Sequence, residues 1–422
     1  MALIYLTCQN PPETTPQHIP KESRVCLYHY FSGTLSGGID EMISNINAMD
    51  YPWGVTAYPL DHESFKTMIN ASFAGRNPPD LFAYWAGEKV QKLVDQGKLA
   101  PLDTLWDDEN LDEIFPKYIS DAACTYSGKK YLIPLTQHLV LFYYNKQIFD
   151  DAGLTPPKTW DELQTTCQTL KDKGIVPISL GMQERWPGQF WFDYILLRTA
   201  GFEYRQKLMH GDAAYTDPEV MNAYKLWKEM LEKGYFNSDA NTIDWAGATT
   251  RVVAGKSAMT LMGTWATQNF SAEASNWTYG KEYDMFVFPE ITPMVPLTAL
   301  GPIDGIILTK DGIHHEEAQK VLRYFCAEDP QKAMSRGSGA VSPSSNVPLS
   351  FYPPHHVQIM NEINVSKQWA FNYDLATPPE VSELGLNSFV ELVEFPDQYQ
   401  AILKSVEKGA RAYFDAHSNH QR

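Results

Sequence analysis

Short apolar runs alternate with segments of helical spacing along most of the chain. Runs at 25–31, 55–58 and 80–84 are each followed by a segment in which apolar residues recur every three or four positions. Strands that alternate with helices in this way predict a parallel sheet covered by helices on both faces. Because ligands of such sheets bind beyond the carboxyl ends of the strands, the loops that follow these runs are the places to look for function.

The strongest local signals lie in residues 131–163. An apolar and aromatic run at 139–144 predicts a buried strand. Two prolines then exclude helix as far as Thr159. Thr159 and Glu162 have the spacing of a capping box, in which each side chain satisfies a backbone amide of the other residue. We therefore expect a strand, a turn and a cleanly started helix.

A second well-marked helix is expected after residue 217. Asp217 is a good N-cap, Pro218 suits the first helical position, and Gly234 ends the pattern. Trp227 lies on the apolar stripe of this helix, so we expect it in the core.

Length and charge narrow the class of protein. The 422 residues, 44% hydrophobic and 20% charged, are too many for one ordinary domain, so two lobes are expected. The formal net charge of −17 disfavours nucleic acid and anionic lipid as partners and favours an uncharged ligand. Aromatic residues make up 13% of the chain, which suggests flat apolar surfaces that stack on a ligand, although most of them must fill cores.

Cysteines and apolar runs indicate neither a metal cluster nor a membrane span. The five cysteines lack C-x-x-C spacing and allow at most two disulfides, whose pairing the sequence leaves open: Cys8, Cys26, Cys124, Cys167 and Cys326. No run approaches the roughly 20 apolar residues that a spanning helix needs. The opening apolar patch is too short for a signal peptide.

Catalytic and cofactor motifs are missing from the sequence. It contains no G-x-S-x-G, H-E-x-x-H, G-x-G-x-x-G or EF-hand pattern, so we expect no cofactor and no metal site. The run Gly255-Lys256-Ser257 imitates the end of a Walker A loop, but Thr250 stands where that motif requires its first glycine. We reject a nucleotide site on that ground.

Three segments resemble one known family. The string I-P-L…Y-Y-N-K…F-D-D-A-G-L…P-P-K-T-W-D-E-L at 133–163 resembles the signature of extracellular solute-binding proteins of ABC importers, in the carbohydrate-binding family that includes maltose-binding protein. Segments 80–87 and 254–265, the latter with a G-K-x-A-M…G-x-W pattern, resemble the same family. The resemblance extends over about residues 25–413.

The resemblance implies an α/β, periplasmic-binding-protein-like fold, in which two α/β lobes surround a ligand cleft and are joined by three hinge crossings. Residues 1–23 would form a tail or tether, and Cys8 would be a candidate lipid anchor. The N-terminal lobe would comprise 24–135 and 300–343, and the C-terminal lobe 136–299 and 344–422.

The predicted ligand site combines aromatic and polar residues from the loops expected to face the cleft. Tryptophan can lie on the apolar face of a sugar ring, while Asp, Glu, Gln and Arg side chains bind its hydroxyls. Trp265 has an alternative role as a core residue under the following helix. The predicted ligand-binding residues are Trp85, Glu88, Gln137, His138, Glu184, Arg185, Trp186, Trp191, Trp265, Asp304 and Trp369.

The function that the resemblance implies is capture of a carbohydrate, a disaccharide or small glycoside, by closure of the lobes and its delivery to the membrane permease of an ABC transporter. Such a protein is a periplasmic or extracytoplasmic bacterial monomer and not an enzyme. Two alternatives stay open. A glycoside hydrolase or lyase would need two carboxylates about 5 to 9.5 Å apart, with Glu88, Glu184 and Asp304 as candidates. A sugar-sensing subunit of a membrane receptor would show the same closure with another partner.

Overall fold

The computed structural model describes residues 23–75, 77–312, 314–366 and 368–417. The described chain folds into two compact units. The first contains the described residues up to Gln137 together with Ile303–Tyr352, and the second contains His138–Pro302 together with the described residues from Pro353 onward. The candidate lipid anchor Cys8 and all of the predicted tail except Ser23 lie outside the described residues.

The chain passes between the two units after Gln137, Pro302 and Tyr352. The lobe boundaries expected from the sequence put these passages after residues 135, 299 and 343. The third passage differs most, because the backbone amide of Ser345 donates to the carbonyl of Ile114 in the first unit at 2.8 Å. This contact keeps the chain with the first unit past residue 343.

The strands, numbered in chain order, are short. They are β1 (Ser23–His29), β2 (Trp53–Pro59), β3 (Leu81–Trp85), β4 (Thr125–Tyr126), β5 (Lys129–Lys130), β6 (Leu132–Gln137), β7 (Val140–Asn145), β8 (Val176–Ile178), β9 (Ser257–Gly263), β10 (Tyr283–Phe286), β11 (Thr298–Leu300), β12 (Ile303–Leu308) and β13 (Gln368–Ala370).

The helices are numbered in the same way. They are α1 (Gly37–Ala48), α2 (His62–Ala74), α3 (Glu88–Asp95), α4 (Asp103–Asp108), α5 (Leu111–Ile114), α6 (Lys117–Ile119), α7 (Lys146–Ala152), α8 (Trp160–Asp172), α9 (Gly188–Thr199), α10 (Gly201–His210), α11 (Pro218–Glu232), α12 (Trp245–Val253), α13 (Ala266–Phe270), α14 (His315–Phe325), α15 (Glu328–Ser338), α16 (Pro354–Val365), α17 (Tyr373–Ala376), α18 (Pro379–Glu394) and α19 (Tyr399–His417).

The first unit is built on a five-stranded sheet in the order β2-β1-β3-β12-β6. The predicted parallel arrangement holds for β1, β2 and β3, but β12 runs antiparallel to both β3 and β6. The parallel direction follows from a helical crossover between consecutive strands of one sheet. Since β12 enters directly from the second unit, no such crossover fixes its direction.

The strand predicted at 139–144 is β7, and a further strand, β6, directly precedes it. β6 is an edge strand of the first unit's sheet, and β7 is the first strand of the second unit. Pro134 lies within β6, opposite Gly305, at the point where the pairing with β12 shifts register. A proline lacks the amide proton that a central strand must donate, so its place on an edge strand is the expected one.

The second unit has a four-stranded sheet in the order β10-β7-β9-β8, with β7 antiparallel to β9 and β10, and β8 parallel to β9. Helix α11 begins at Pro218, and Trp227 on it is fully buried, as predicted. The predicted side-chain cap is absent, because the Asp217 carboxylate accepts from the Ala214 amide at 3.0 Å instead of from an amide of the helix. Residues Gly255 and Lys256 connect helix α12 to strand β9. A Walker A loop connects a strand to a helix, so this order supports the rejection of a nucleotide site.

The predicted capping box at the start of α8 is present. The Glu162 amide donates to Thr159 Oγ1 at 3.3 Å, and the Thr159 amide donates to Glu162 Oε2 at 3.2 Å. Trp160 is buried and stacks on Phe288 in the core of the second unit. The most recognisable stretch of the sequence therefore has a structural role in this helix start.

Replacing Thr159 by alanine tests the capping box. The Thr159→Ala variant should lose about 1 kcal/mol of unfolding free energy, because an amide of the first turn loses its acceptor. Denaturant unfolding followed by circular dichroism measures the loss. Thr165→Ala, at an exposed position of the same helix, is the control and should change stability by less than about 0.5 kcal/mol. Equal losses in the two variants would contradict the capping role.

Candidate functional site

Strand direction gathers the candidate residues of the first unit at one edge of its sheet. β12 is antiparallel to β3 and β6, so the start of β12 lies beside the ends of the other two strands. Asp304, the second residue of β12, pairs with Trp85 at the end of β3 and with Thr136 near the end of β6. Gln137 ends β6, and Tyr30 directly follows the end of β1.

Trp85 belongs to an aromatic cluster at this edge. Its ring stacks on Tyr30 with centroids 4.0 Å apart and an angle of 16° between the ring planes. The His62 ring meets the Trp85 ring edge to face with centroids 4.7 Å apart, and the Lys66 ammonium lies 5.9 Å from the centroid of the Trp85 ring. Only 8% of Trp85 is exposed. Tyr30 therefore covers much of the surface that a free-standing stacking platform would offer to a ligand.

Asp304 is a buried carboxyl at the centre of the edge. The hydroxyl of Thr136 donates to Asp304 Oδ2 at 2.9 Å. Burial raises the pKa of Asp304 to about 7, and the nearby hydroxyls of Thr136 and Tyr30 offset the rise only in part. The group therefore exchanges its proton near neutral pH, where it can serve a ligand as donor or as acceptor.

Gln137 is held through its amide oxygen. The hydroxyl of Tyr118 donates to Gln137 Oε1 at 3.3 Å. The side chain is 2% exposed, and within the described ranges no group accepts a hydrogen bond from Gln137 Nε2. A buried donor without an acceptor costs about 1 to 3 kcal/mol, so Gln137 Nε2 is a candidate hydrogen-bond donor to a ligand.

Glu88 follows the same edge, as the first residue of α3. The glutamate is half-buried, and burial, with the nearby Asp95 carboxylate as a smaller cause, raises its pKa. The preceding Gly87 amide donates to the Tyr126 hydroxyl at 2.9 Å, with Gly87 at a φ of 126° that favours glycine. The hydrogen bond to the Gly87 amide therefore fixes the backbone of the turn between Trp85 and α3.

The second unit has a comparable edge. The start of β7 lies beside the end of β9, and the parallel strand β8 ends at the same edge. His138 precedes β7, Trp265 follows β9, and Trp186 lies in the loop after β8. The structure therefore brings these three predicted residues together.

Trp265 packs directly on the backbone of Gly263. A Cβ atom at Gly263 would come within 2.0 Å of the indole ring, so no other residue fits there without moving the ring. The Trp186 ring meets Trp265 edge to face at 5.9 Å, and Phe190 lies 6.1 Å away. Trp265 stays half-buried in this setting. The interpretation of Trp265 as a fully buried core residue does not describe this arrangement.

His138 lies next to Trp265 at the start of the second unit. Its Nδ1 is 2.8 Å from Thr264 Oγ1, and its ring meets the indole edge to face at 5.2 Å and 79°. The side chain is 3% exposed, and burial lowers its pKa to about 3. The imidazole is therefore neutral at physiological pH.

Arg185 and Glu184 stand beside Trp186 in the loop after β8. Arg185 has a φ of 67°, and its guanidinium Nη1 donates to Glu383 Oε2 at 2.8 Å and to Asn387 Oδ1 at 2.7 Å, both on α18. The arginine is thus bound to α18 rather than to the aromatic cluster. Glu184 is half-buried in the same loop.

Two predicted residues are separate from these clusters. Trp191 is fully buried, with Trp227 stacked at 6.4 Å and Phe142 edge-on at 5.7 Å, so we correct its predicted ligand contact to a core role. It faces inward because it lies in the middle of α9, where nearly every side chain is buried. Trp369 lies on β13, which pairs with β11 in a different sheet from that of β7 and β9.

Three residues that shape the two edges, Tyr30, Thr264 and Tyr118, were not predicted from the sequence. Tyr30 lies within the run predicted as the first strand, at 25–31, whereas the observed strand ends at His29. Thr264 adjoins the predicted site residue Trp265, but a threonine carries no distinctive signal. Tyr118 lies in a short helical segment, far in sequence from the strand end that it contacts. Only the fold brings it to Gln137.

The described part of the chain lacks two further features. None of its helices is both long and apolar enough to cross a membrane. No group of three or more His, Cys, Asp or Glu side chains in it could hold a metal ion.

Two solved structures of similar fold are a solute receptor and an oligosaccharide-binding protein. The bacterial solute receptor AcbH, described as having an exclusive preference for β-D-galactopyranose, matches 93% of this chain and 99% of its own, with a TM-score of 0.84 and 24% identity. A chitin oligosaccharide binding protein matches 92% of this chain and 99% of its own, with a TM-score of 0.82 and 22% identity. The fold is therefore that of a solute-binding protein.

The chain belongs to the bacterial extracellular solute-binding protein family, whose profile matches residues 55–332. An uncharacterised ABC transporter extracellular-binding protein of Pyrococcus horikoshii is 27% identical over 364 residues, which cover 84% of this chain and 80% of the relative. A probable sugar-binding periplasmic protein of Mesorhizobium japonicum is 26% identical over 277 residues, or 64% of this chain and 65% of the relative. The predicted family and α/β fold class are confirmed, and these relatives are binding proteins rather than enzymes.

The buried carboxyl of Asp304 generates a prediction about pH. Its pKa of about 7 in the folded protein lies above the value of about 3.9 for an unfolded chain. Between these values the folded carboxyl keeps its proton while the unfolded one has lost it, so rising pH favours unfolding by up to about 1.4 kcal/mol per pH unit. Relative to Asp304→Asn, the wild type should lose stability from about pH 4 to pH 7 and then level off.

Thermal unfolding of both proteins at several pH values measures this difference. The asparagine keeps the size of the side chain and one acceptor oxygen, and it does not titrate. Parallel stability profiles for the two proteins across this range would contradict a raised pKa at Asp304.

Proposed function

We propose that this protein is the solute-binding component of an ABC importer and that its ligand is a carbohydrate, either a disaccharide or a small glycoside. The observation that carries the proposal is the composition of the two sheet edges. Each edge pairs tryptophan with hydrogen-bonding groups that are uncharged or only weakly ionised at neutral pH, such as Gln137 and Thr136 in the first unit and His138 in the second. Apolar rings beside such groups suit a neutral sugar.

In this proposal, side chains at the edge of the first unit's sheet hydrogen-bond the hydroxyl groups of the sugar. The free amide hydrogens of Gln137 donate to a ligand oxygen, and Asp304 accepts from or donates to a neighbouring hydroxyl. Trp85 and Glu88 line the same edge. The Tyr30 ring, stacked on Trp85 at 4.0 Å, holds that tryptophan in place.

The edge of the second unit supplies the stacking surface. The half-buried Trp265 lies against the apolar face of a sugar ring, and Trp186 extends the surface at 5.9 Å. Glu184, Arg185 and Trp369 remain candidates for the outer part of the ligand. Arg185 would first have to release Glu383 and Asn387.

Ligand contacts with both units would favour a closed form over an open one, since a ligand shifts such an equilibrium by its differential affinity for the two states. We propose that the liganded protein, a monomer outside the cytoplasm, then docks on the membrane permease subunits. Three findings support this role: the extracellular solute-binding family, the ABC transporter relatives, and the sugars named for several of the matching proteins.

Thermal-shift measurements with a panel of monosaccharides, disaccharides, glycosides and polyols test the ligand class. A specific ligand at saturation should add a few kcal/mol of apparent stability, roughly 2.7 kcal/mol at 100 times its dissociation constant. Stabilisation by peptides or metal ions with no response to any carbohydrate would contradict the proposal. Steady turnover of labelled oligosaccharides would replace it with a glycoside hydrolase.

The stacking role of Trp265 can be separated from a packing role. Trp265→Ala should abolish the ligand-induced rise in melting temperature, while ligand-free stability falls little because the ring is only half-buried. The matched control is Trp227→Ala in the core, which should lose about 3 to 5 kcal/mol of ligand-free stability. A loss of that size in Trp265→Ala, with ligand binding retained, would assign Trp265 to the core instead.

A further inference from the structure

Trp265 is held on several sides before any ligand is bound. The benzene edge of its indole lies against Gly263, where an added Cβ would meet Cζ3 at 2.0 Å, Cη2 at 2.2 Å and Cε3 at 2.4 Å. Gly263 is the last residue of β9, and its strand position opposite Val140 fixes where this backbone surface stands. One edge of the indole therefore rests on the backbone at the end of a strand.

A second support comes from His138 and Thr264. The His138 ring meets the indole edge to face. The Nδ1 atom of His138 forms a hydrogen bond with Thr264 Oγ1 at 2.8 Å. Thr264 is itself fully buried, and its carbonyl accepts from both the amide and the hydroxyl of Thr267 in the first turn of α13, at 3.1 and 2.8 Å. The hydrogen bond thus joins the start of β7, through His138, to a fixed turn after β9.

We infer that Gly263, Thr264 and His138 form a cradle that sets the orientation of the Trp265 ring, and that Thr264 and His138 are positioning residues rather than ligand contacts. The effect of the cradle on sugar binding rests on the proposed function, whereas its effect on the ring is a property of the ligand-free protein. This assignment also revises the predicted role of His138, whose side chain is 3% exposed.

The arrangement gives a physical reason for the G-x-W pattern at 263–265. The glycine is required because the ring occupies the space of a side chain. The middle residue contributes a hydroxyl that holds the imidazole, and the neutral state of that imidazole avoids the cost of an unpaired buried charge. Stacking on a sugar face depends on the direction of the ring plane. A variant in which the indole is present but rotated should therefore bind the sugar more weakly.

The paired variants Thr264→Val and Thr264→Ser test the cradle. Valine keeps the shape and removes the hydroxyl that lies 2.8 Å from His138 Nδ1, whereas serine restores the hydroxyl. In the ligand-free protein, the near-ultraviolet circular dichroism that disappears in Trp265→Phe reports the setting of this ring. We expect Thr264→Val to lose most of that signal and to weaken sugar affinity about tenfold, the equivalent of one hydrogen bond. Thr264→Ser should regain most of both.

Thr260→Val is the matched control. Thr260 is buried on β9, the strand that ends just before Thr264, and its hydroxyl donates to the Ser179 carbonyl at 2.9 Å. This variant should lose comparable stability while keeping the Trp265 signal and the affinity. The inference is overturned if Thr264→Val keeps the signal, or if Thr260→Val and Thr264→Ser lose it to the same extent. If no carbohydrate binds the wild type, the proposed function fails, and the dichroism alone still decides the cradle.

Discussion

The pairing of β12 between β3 and β6 is the constraint on which the first unit's candidate site depends. This one strand places Asp304 between Trp85 and Thr136, residues more than 50 positions apart in the sequence. Its antiparallel direction brings its start to the edge where the other strands end. A parallel β12 would carry Asp304 to the opposite edge of the sheet, away from Tyr30 and Gln137. Strand direction, which no single side chain determines, therefore assembles the polar group.

In the second unit, a different pair of antiparallel strands also brings an aromatic and a polar residue together. There the antiparallel neighbours are β7 and β9, and the residues that meet are His138 and Trp265. In both units, an aromatic ring at a strand end stands beside a buried polar group whose neutral form is favoured. Burial raises the pKa of Asp304 and lowers that of His138, since either charge would lose its hydration. These edges suit the recognition of a neutral, hydroxyl-rich ligand better than that of an ion.

Burial separates the tryptophans that fill the core from Trp265, which we propose as the stacking surface. Trp227, Trp191 and Trp160 are all tryptophans of the second unit, and their rings fill its core. Trp265 differs from them because it follows a strand end and rests on a glycine, which leaves part of its ring accessible. Similar residue types thus take different roles according to the backbone that carries them. Composition could suggest stacking surfaces but could not say which tryptophans provide them.

Local chemistry made much of the fold predictable from the sequence alone. The capping box at Thr159, the proline-started helix after Asp217 and the strand–helix alternation of the first unit depend on neighbouring residues, so their signals lie in short segments. The family motifs marked the loop that contains Trp265. Tertiary structure decided the antiparallel entry of β12, the burial of Trp191 and the contacts of Tyr30, Tyr118 and Thr264. Each of these features depends on which distant strands and helices pack together. The residue pattern of a short segment does not determine that packing.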